Sequence, residues 1–196
     1  MTRLFNSPVL LLTSMLALSS ILSGCTAVVG AGATVGVAAV QERGLRGKAS
    51  DLKIEAQVLE KFFKAGFKLT RKIDAEVYEG RVMLTGASAD TKIADEAVKL
   101  VWQVDGVKAV INEIQIGKDS SFSDITQDSW ITTQVKSKIT FDENIFSINY
   151  VVETVNGTVY LIGIAQNDAE LNRVKQHASR IKFVRNVISH VRVKNY

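Results

Sequence analysis

The sequence contains a single cysteine, Cys25, close to its start. No internal disulfide can form, and an exported protein with one unpaired thiol is best explained if that thiol is consumed by a modification. Histidine is almost as scarce: His177 and His190 fall on a helical and an extended stretch with no Cys, Asp or Glu at ligand spacing. No metal site, catalytic residue or cofactor is expected. Glycine-rich phosphate loops and the nucleophile elbow are also missing, so the reading is not that of an enzyme. A cell-wall hydrolase would need a catalytic carboxylate or histidine cluster that is not found. Acidic residues stop at Glu170, while Arg173, Lys175, Arg180, Lys182, Arg185, Arg192 and Lys194 follow, which makes the C-terminal quarter basic.

What is present begins with a leader. Arg3 supplies one positive charge, and Val9 to Leu22 is an apolar run interrupted only by Thr13, Ser14, Ser19 and Ser20. A membrane-spanning helix needs about 20 apolar residues, so residues 1–24 read as a secretory signal. Leu22-Ser23-Gly24-Cys25 resembles the bacterial lipobox at all four positions, and that resemblance implies acylation at Cys25. Each buried methylene is worth about 0.8 kcal/mol, and two acyl chains already anchor stably. Thr26 stands where an aspartate would resemble the inner-membrane retention signal. The expected location is the outer membrane, lipid-anchored and facing the periplasm.

Without residues 1–24 the chain keeps 23 Lys and Arg against 20 Asp and Glu, a net charge of +3. That mild excess does not argue for nucleic acid, and none is expected for an exported lipoprotein. Thr26 to Val40 carries no charge and three glycines and reads as a flexible spacer, or an interfacial segment beside the anchor. Gln41 to Ala49 is charged and contains glycine, and reads as linker, so that residues 25–49 form the tether.

From Asp51 the chain repeats itself at an offset of 77 positions without a gap. Asp51, Ile54, Gln57, Val58 and Lys61 fall on Asp128, Ile131, Gln134, Val135 and Lys138; Gly80, Val82, Leu84 and Gly86 fall on Gly157, Val159, Leu161 and Gly163. Apolar residues every four positions predict a first helix in each copy. Ile148 to Val155 alternates as a strand, with a weaker counterpart at Ile73 to Tyr78. Asn156-Gly157 and Glu79-Gly80 are type I′ hairpin signals, and a second strand follows each. Asp90 and Asn167 are N-cap candidates, Asn167 with Glu170 as a capping box. Second helices carry the stripes Ala94, Ala97, Val101, Val104 and Leu171, Val174, Ala178, Ile181. The last strands follow, with the pairing of the third strand left open. Gly86 and Gly163 read as points of close helix-to-strand approach. The fold class is α+β: two tandem α-β-β-α-β domains at residues 50–117 and 127–196, each a three-stranded mixed sheet covered by two helices, with a linker at 118–126.

Units of about 65 residues in this order, with a glycine at each hairpin and a Val-x-Leu-x-Gly strand, resemble the BON domain of bacterial periplasmic and lipid-associated proteins. Trp130-Ile131-Thr132-Thr133, then Val135, Lys136 and Ser137, is the sharpest local match. That resemblance implies binding of anionic phospholipid through the second domain, support of outer-membrane integrity, and no catalysis. Gln134 stands where a basic residue is expected. At about 100° per residue, Trp130 lies about 140° from the centre of the Ile131, Val135, Ile139 stripe, on the side of Gln134, Ser137 and Phe141. The first copy has Lys53 in its place. Trp130, Thr133, Gln134, Lys136, Ser137 and Phe141 are therefore the candidate lipid-binding residues. The basic C-terminal face is a second membrane candidate, at about 1 kcal/mol per cation near an anionic leaflet. The rival reading is an adaptor that uses the same helix to dock an envelope protein such as a barrel-assembly component.

One residue tests the anchor. Cys25→Ser should give an unprocessed or soluble periplasmic protein, because the acyl chains have no other attachment point. Cell fractionation that left this variant in the outer membrane would overturn the lipobox reading.

Overall fold

The computed structural model describes residues 41–117 and 119–194; the leader, Cys25 and the apolar spacer lie outside the described residues. Helix α1 (Gly44–Ala65) buries Asp51, Ile54, Val58 and Phe62 and ends at Gly66, whose φ of 136° breaks the helical path. A one-turn helix α2 (Phe67–Lys72) leads into β1 (Ile73–Tyr78), β2 (Arg81–Ser88), α3 (Thr91–Val101) and β3 (Ala109–Ile116). The second copy runs α4 (Phe122–Thr140), a 3-10 turn (Ser147–Asn149), β4 (Tyr150–Val155), β5 (Thr158–Ala165), α5 (Asp168–Ser179) and β6 (Asn186–Val193). Strand β4 therefore starts two residues later than the alternation at Ile148 suggested.

Both stretches read as linker are partly helical. Helix α1 starts at Gly44, inside the tether reading, because the charges there are spent internally. Arg43 donates to Asp51 at 2.7 Å and to the Val77 carbonyl at 3.0 Å, and both partners of the ion pair are only 3% exposed. Gln41 donates to the Ile148 carbonyl, and the Glu42 amide donates to Asn149 Oδ1. Helix α4 starts at Phe122, inside the 118–126 linker, because Ser121 and Asp124 close a capping box ahead of it.

Each sheet has the order first, second, third strand. The first two strands are antiparallel through the hairpin, and the third runs parallel to the second. A parallel neighbour needs a crossover, which α3 and α5 supply. The type I′ turns are present, with φ of 54° and 76° at Glu79-Gly80 and 48° and 75° at Asn156-Gly157. In each, a buried aspartate from the first helix accepts both turn amides: Asp51 from Glu79 and Gly80 at 2.8 Å, Asp128 from Asn156 at 2.6 Å and Gly157 at 2.8 Å. A Cβ at Gly86 or Gly163 would collide with the carbonyl oxygen of Lys72 or Asn149, the ends of the helical turns that precede β1 and β4.

Asp90 and Asn167 cap α3 and α5 as expected, accepting from Lys92 and Glu170 amides. The capping box at Asn167 is not closed. Glu170 accepts instead from the amides of Phe146 at 2.8 Å and Gln166 at 2.6 Å, tying α5 to the loop after α4.

Helices cover one face of each sheet, forming two separate cores. The opposite faces pack on each other, with Tyr78, Met83 and Ala87 from one and Val155, Tyr160 and Ile162 from the other. Polar bonds surround this seam. Gln115 donates to the Val155 carbonyl at 2.9 Å, Arg81 to the His190 carbonyl at 2.8 Å, His190 meets Glu113 at 2.7 Å, and Arg192 pairs with Glu79. The layers run helices, sheet, sheet, helices.

The aspartate clamp can be tested in the second copy. Asp128→Ala strands two turn amides, and each unsatisfied buried group costs about 1–3 kcal/mol. Urea unfolding should show a loss of about 3 kcal/mol, and Asp128→Asn, which keeps an acceptor, a smaller one. An Ala variant as stable as wild type would contradict the clamp.

Candidate functional site

Helix α4 turns Ile131, Val135 and Ile139 inward, and this fixes what its outer side presents. Trp130 is 43% exposed and Phe141 84%, about three turns apart on one stripe with Gln134 and the exposed Ser137. Trp130 does not stand alone. Its ring meets Phe183 edge-on, with centroids 6.0 Å apart and planes at 69°, and the Lys182 ammonium sits 4.6 Å above the Phe183 ring.

Phe183 holds a left-handed φ of 71° and is 46% exposed. Backbone of this kind costs a bulky residue about 1–2 kcal/mol, and the first copy places Gly106, at φ 92°, in the corresponding position. The loop is held by the hairpin. Gly157 accepts from the Arg185 amide at 2.8 Å, and a Cβ at Gly157 would lie 2.9 Å from the Phe183 carbonyl oxygen. Nothing in the sequence spacing joins residues 130 and 183; the signal that could have found Phe183 is a phenylalanine aligned with a glycine in the other copy.

Thr133 and Lys136 lie on a different flank of α4. They line a cleft of about 700 Å³ between α4 and α2, together with Lys68, Arg71, Asp119 and Glu153. Lys136 pairs with Glu153 at 3.6 Å, Lys72 with Asp119 at 2.7 Å, and Arg71 lies over the Phe67 ring at 5.4 Å. The six candidate residues thus divide into an outward stripe of four and two that face the first domain. Phe67, Lys68 and Arg71 of that domain escaped the sequence reading.

The basic C-terminal quarter divides as well. Arg173, Arg192 and Lys194 pair with Asp142, Glu79 and Glu42. Lys175, Arg180, Lys182 and Arg185 are exposed, and Lys182 adjoins the aromatic pair. Each histidine has a carboxylate partner that sequence spacing could not show: His177 meets Asp142 and His190 meets Glu113, both at 2.7 Å. The His177 contact, then the Asn144 amide, holds the Asp142 carboxyl down at about 2. Among the described residues no three His, Cys, Asp or Glu side chains gather as metal ligands.

The pattern of the BON domain matches residues 50–118 and again 127–195. The chain belongs to the BON-domain family. Its similarity to the outer membrane lipoprotein DolP of Haemophilus influenzae is 35% identity over 93% of this chain and 95% of that protein. A protein of Anaplasma centrale, named from the gshII 5′ region, is 40% identical over 72% of this chain and 95% of its own. The 21 kDa hemolysin of Actinobacillus pleuropneumoniae is 32% identical over 67% and 66%. The first BON match opens inside α1, six residues after the helix does. Among the described residues no helix is long and apolar enough to cross a membrane.

Behind the Lys136–Glu153 pair, Glu76 on β1 is pushed up to about 7, by burial first and then by the Glu153 charge. Burial also raises Glu153. The folded protein retains a proton on Glu76 that the unfolded chain releases near its ordinary value, so this stabilisation is complete below about pH 4.5 and is lost as pH rises through about 7. Thermal midpoints should fall across that window by a few degrees more in wild type than in Glu76→Gln. The Gln variant should be the more stable of the two at about pH 8. Parallel curves for the two would remove Glu76 as the cause.

Proposed function

We propose that the protein is a non-catalytic, lipid-anchored protein of the outer membrane, facing the periplasm, that binds anionic phospholipid through its second BON domain and supports envelope integrity. Cys25 supplies the anchor, and Trp130, Phe183 and Phe141 enter the interface with Lys182 and Arg180 beside them. Similarity to the outer membrane lipoprotein DolP over nearly the whole chain supports the location.

One observation carries the binding site. Three exposed aromatics of the second domain, Trp130, Phe141 and Phe183, stand where the first has Lys53, Lys64 and Gly106. The scaffold does not need these rings, and Phe183 is held at a backbone angle that a glycine would adopt freely. Half-exposed aromatics flanked by cations suit the boundary between headgroups and acyl chains. No acidic residue follows Glu170, so the segment around Lys182 and Phe183 carries no acid of its own; the exposed Glu143 adjoins Phe141 at the other end of the site.

The test pairs two measurements on the unacylated Cys25→Ser chain without the leader, residues 1–24: co-sedimentation with phosphatidylglycerol-containing vesicles and thermal midpoint. Phe183→Gly relieves the left-handed strain and should leave stability within about 1 kcal/mol. Trp130→Glu should cost about as much as one edge contact, about 0.5–1.5 kcal/mol. Both should weaken vesicle binding at least about tenfold, equivalent to about 1.4 kcal/mol. Retained binding would move the site to the cations at Lys175 and Arg185. A collapse of the midpoint in Phe183→Gly would make the aromatic pair a packing feature.

A further inference from the structure

Helix α1 has a second apolar face that its own domain does not use. Leu45, Ala49, Leu52, Ala56, Leu59 and Phe63 are all exposed, while Asp51, Ile54, Val58 and Phe62 face the core. The exposed six recur at alternating spacings of four and three residues, the seam of a helix pair. Their counterparts one repeat later on α4 are Phe122, Thr126, Ser129, Thr133, Lys136 and Thr140; five of the six are polar, so the BON fold does not demand an apolar face there. The seam also begins before the first BON match, at Leu45.

We propose that α1 is a self-association surface, on which two copies of this chain pair through the seam as antiparallel helices about a two-fold axis. Side-chain size and charge both select this arrangement. In the antiparallel register that uses all six residues, Leu45 lies opposite Phe63 of the second copy, Ala49 opposite Leu59 and Leu52 opposite Ala56. Small faces large in each central layer, as close packing requires. A parallel pair would instead stack Ala on Ala and Leu on Leu.

Flanking charges point the same way. In a parallel pair Lys48 would sit beside Lys53 of the second copy, and Glu55 beside Glu60, which are like-charge contacts only. Antiparallel helices bring Glu60 of one copy between Arg46 and Lys53 of the other; like charges meet only at the axis, as Lys53 with Lys53 and Glu55 with Glu55. Glu60 is held meanwhile by a solvent-exposed contact with Lys64, the weak kind that exchanges readily. Mixed charge along this face also separates it from the cationic patch around Phe183. An anionic membrane would repel Glu55 and Glu60, whereas a second copy complements the charges at 46 and 60. A closed two-fold interface of this kind adds no open surface on which further copies can build.

Thiol cross-linking in the Cys25→Ser chain from residue 25 onward, without the leader, tests the arrangement. Added cysteines are joined with a short bismaleimide over a concentration series. Lys53→Cys, near the axis, should give a covalent dimer. Arg46→Cys should give none alone and a dimer when mixed with Glu60→Cys. Leu52→Glu should reduce the Lys53→Cys yield at least about tenfold while the thermal midpoint stays near that of the parent. Equal self-linking of Arg46→Cys and Lys53→Cys would overturn the antiparallel pair, as would yields insensitive to Leu52→Glu. Absence of any dimer would overturn self-association altogether, and a fluorophore at Leu59→Cys that turns apolar only with vesicles would then assign the face to lipid.

Discussion

A buried aspartate gripping the two amides of a type I′ turn is the contact on which each half of this molecule depends. Asp51 and Asp128 sit on the first helix of their repeats, yet their carboxylates accept from the hairpin between the first and second strands. The turn then passes the constraint onward. Gly80 and Gly157 donate nothing further but accept from Lys108 and Arg185, at 2.8 Å in both cases, which sets the entry to the third strand. Helix, hairpin and crossover strand are thus aligned by one charged group whose burial is tolerable because its hydrogen bonds are filled.

On that shared frame the two copies differ at the buried seam, where Tyr78 and Met83 answer to Val155 and Tyr160, and also at exposed positions that packing does not constrain. The second copy places aromatics at positions where the first has lysine or glycine. From Ala49 to Phe63 the first places apolar residues along a helix flank where the second has threonine, serine and lysine. Duplication supplies an internal control for such differences: a position that is apolar and exposed in one copy and polar in the other owes nothing to folding.

Much of the fold was legible because the repeat is gapless. Strand pairs, hairpins and caps follow from local rules that two copies state twice, and β1 and β4, like β2 and β5, begin one offset apart. The sheet-on-sheet seam was harder to see. Its trace in the sequence is that Val82 to Ser88 carries no charge on either face, where a half-covered strand would alternate, and all seven residues are buried in the fold. Charged stretches misled the reading at Arg43, whose partner Asp51 lies two turns away along the helix and whose ring contact, Tyr78, lies on another element. Of the lipid-site candidates, helical geometry separates the outward stripe from Thr133 and Lys136, but only the folded chain brings Phe183 and Lys182 to Trp130. Contacts between residues 53 positions apart leave no trace in periodicity.

The attachment of Gln41 and Glu42 to the loop ahead of β4 has a mechanical meaning. Tension applied to the chain upstream of residue 41 does not enter at a loose end. It arrives where the Gln41 side chain and the Glu42 amide are already bonded to Ile148 and Asn149 of the second domain, with Lys194 holding Glu42 from the C-terminal side. Both domains share the load from the outset, and several bonds must shear together before either sheet can be peeled strand by strand.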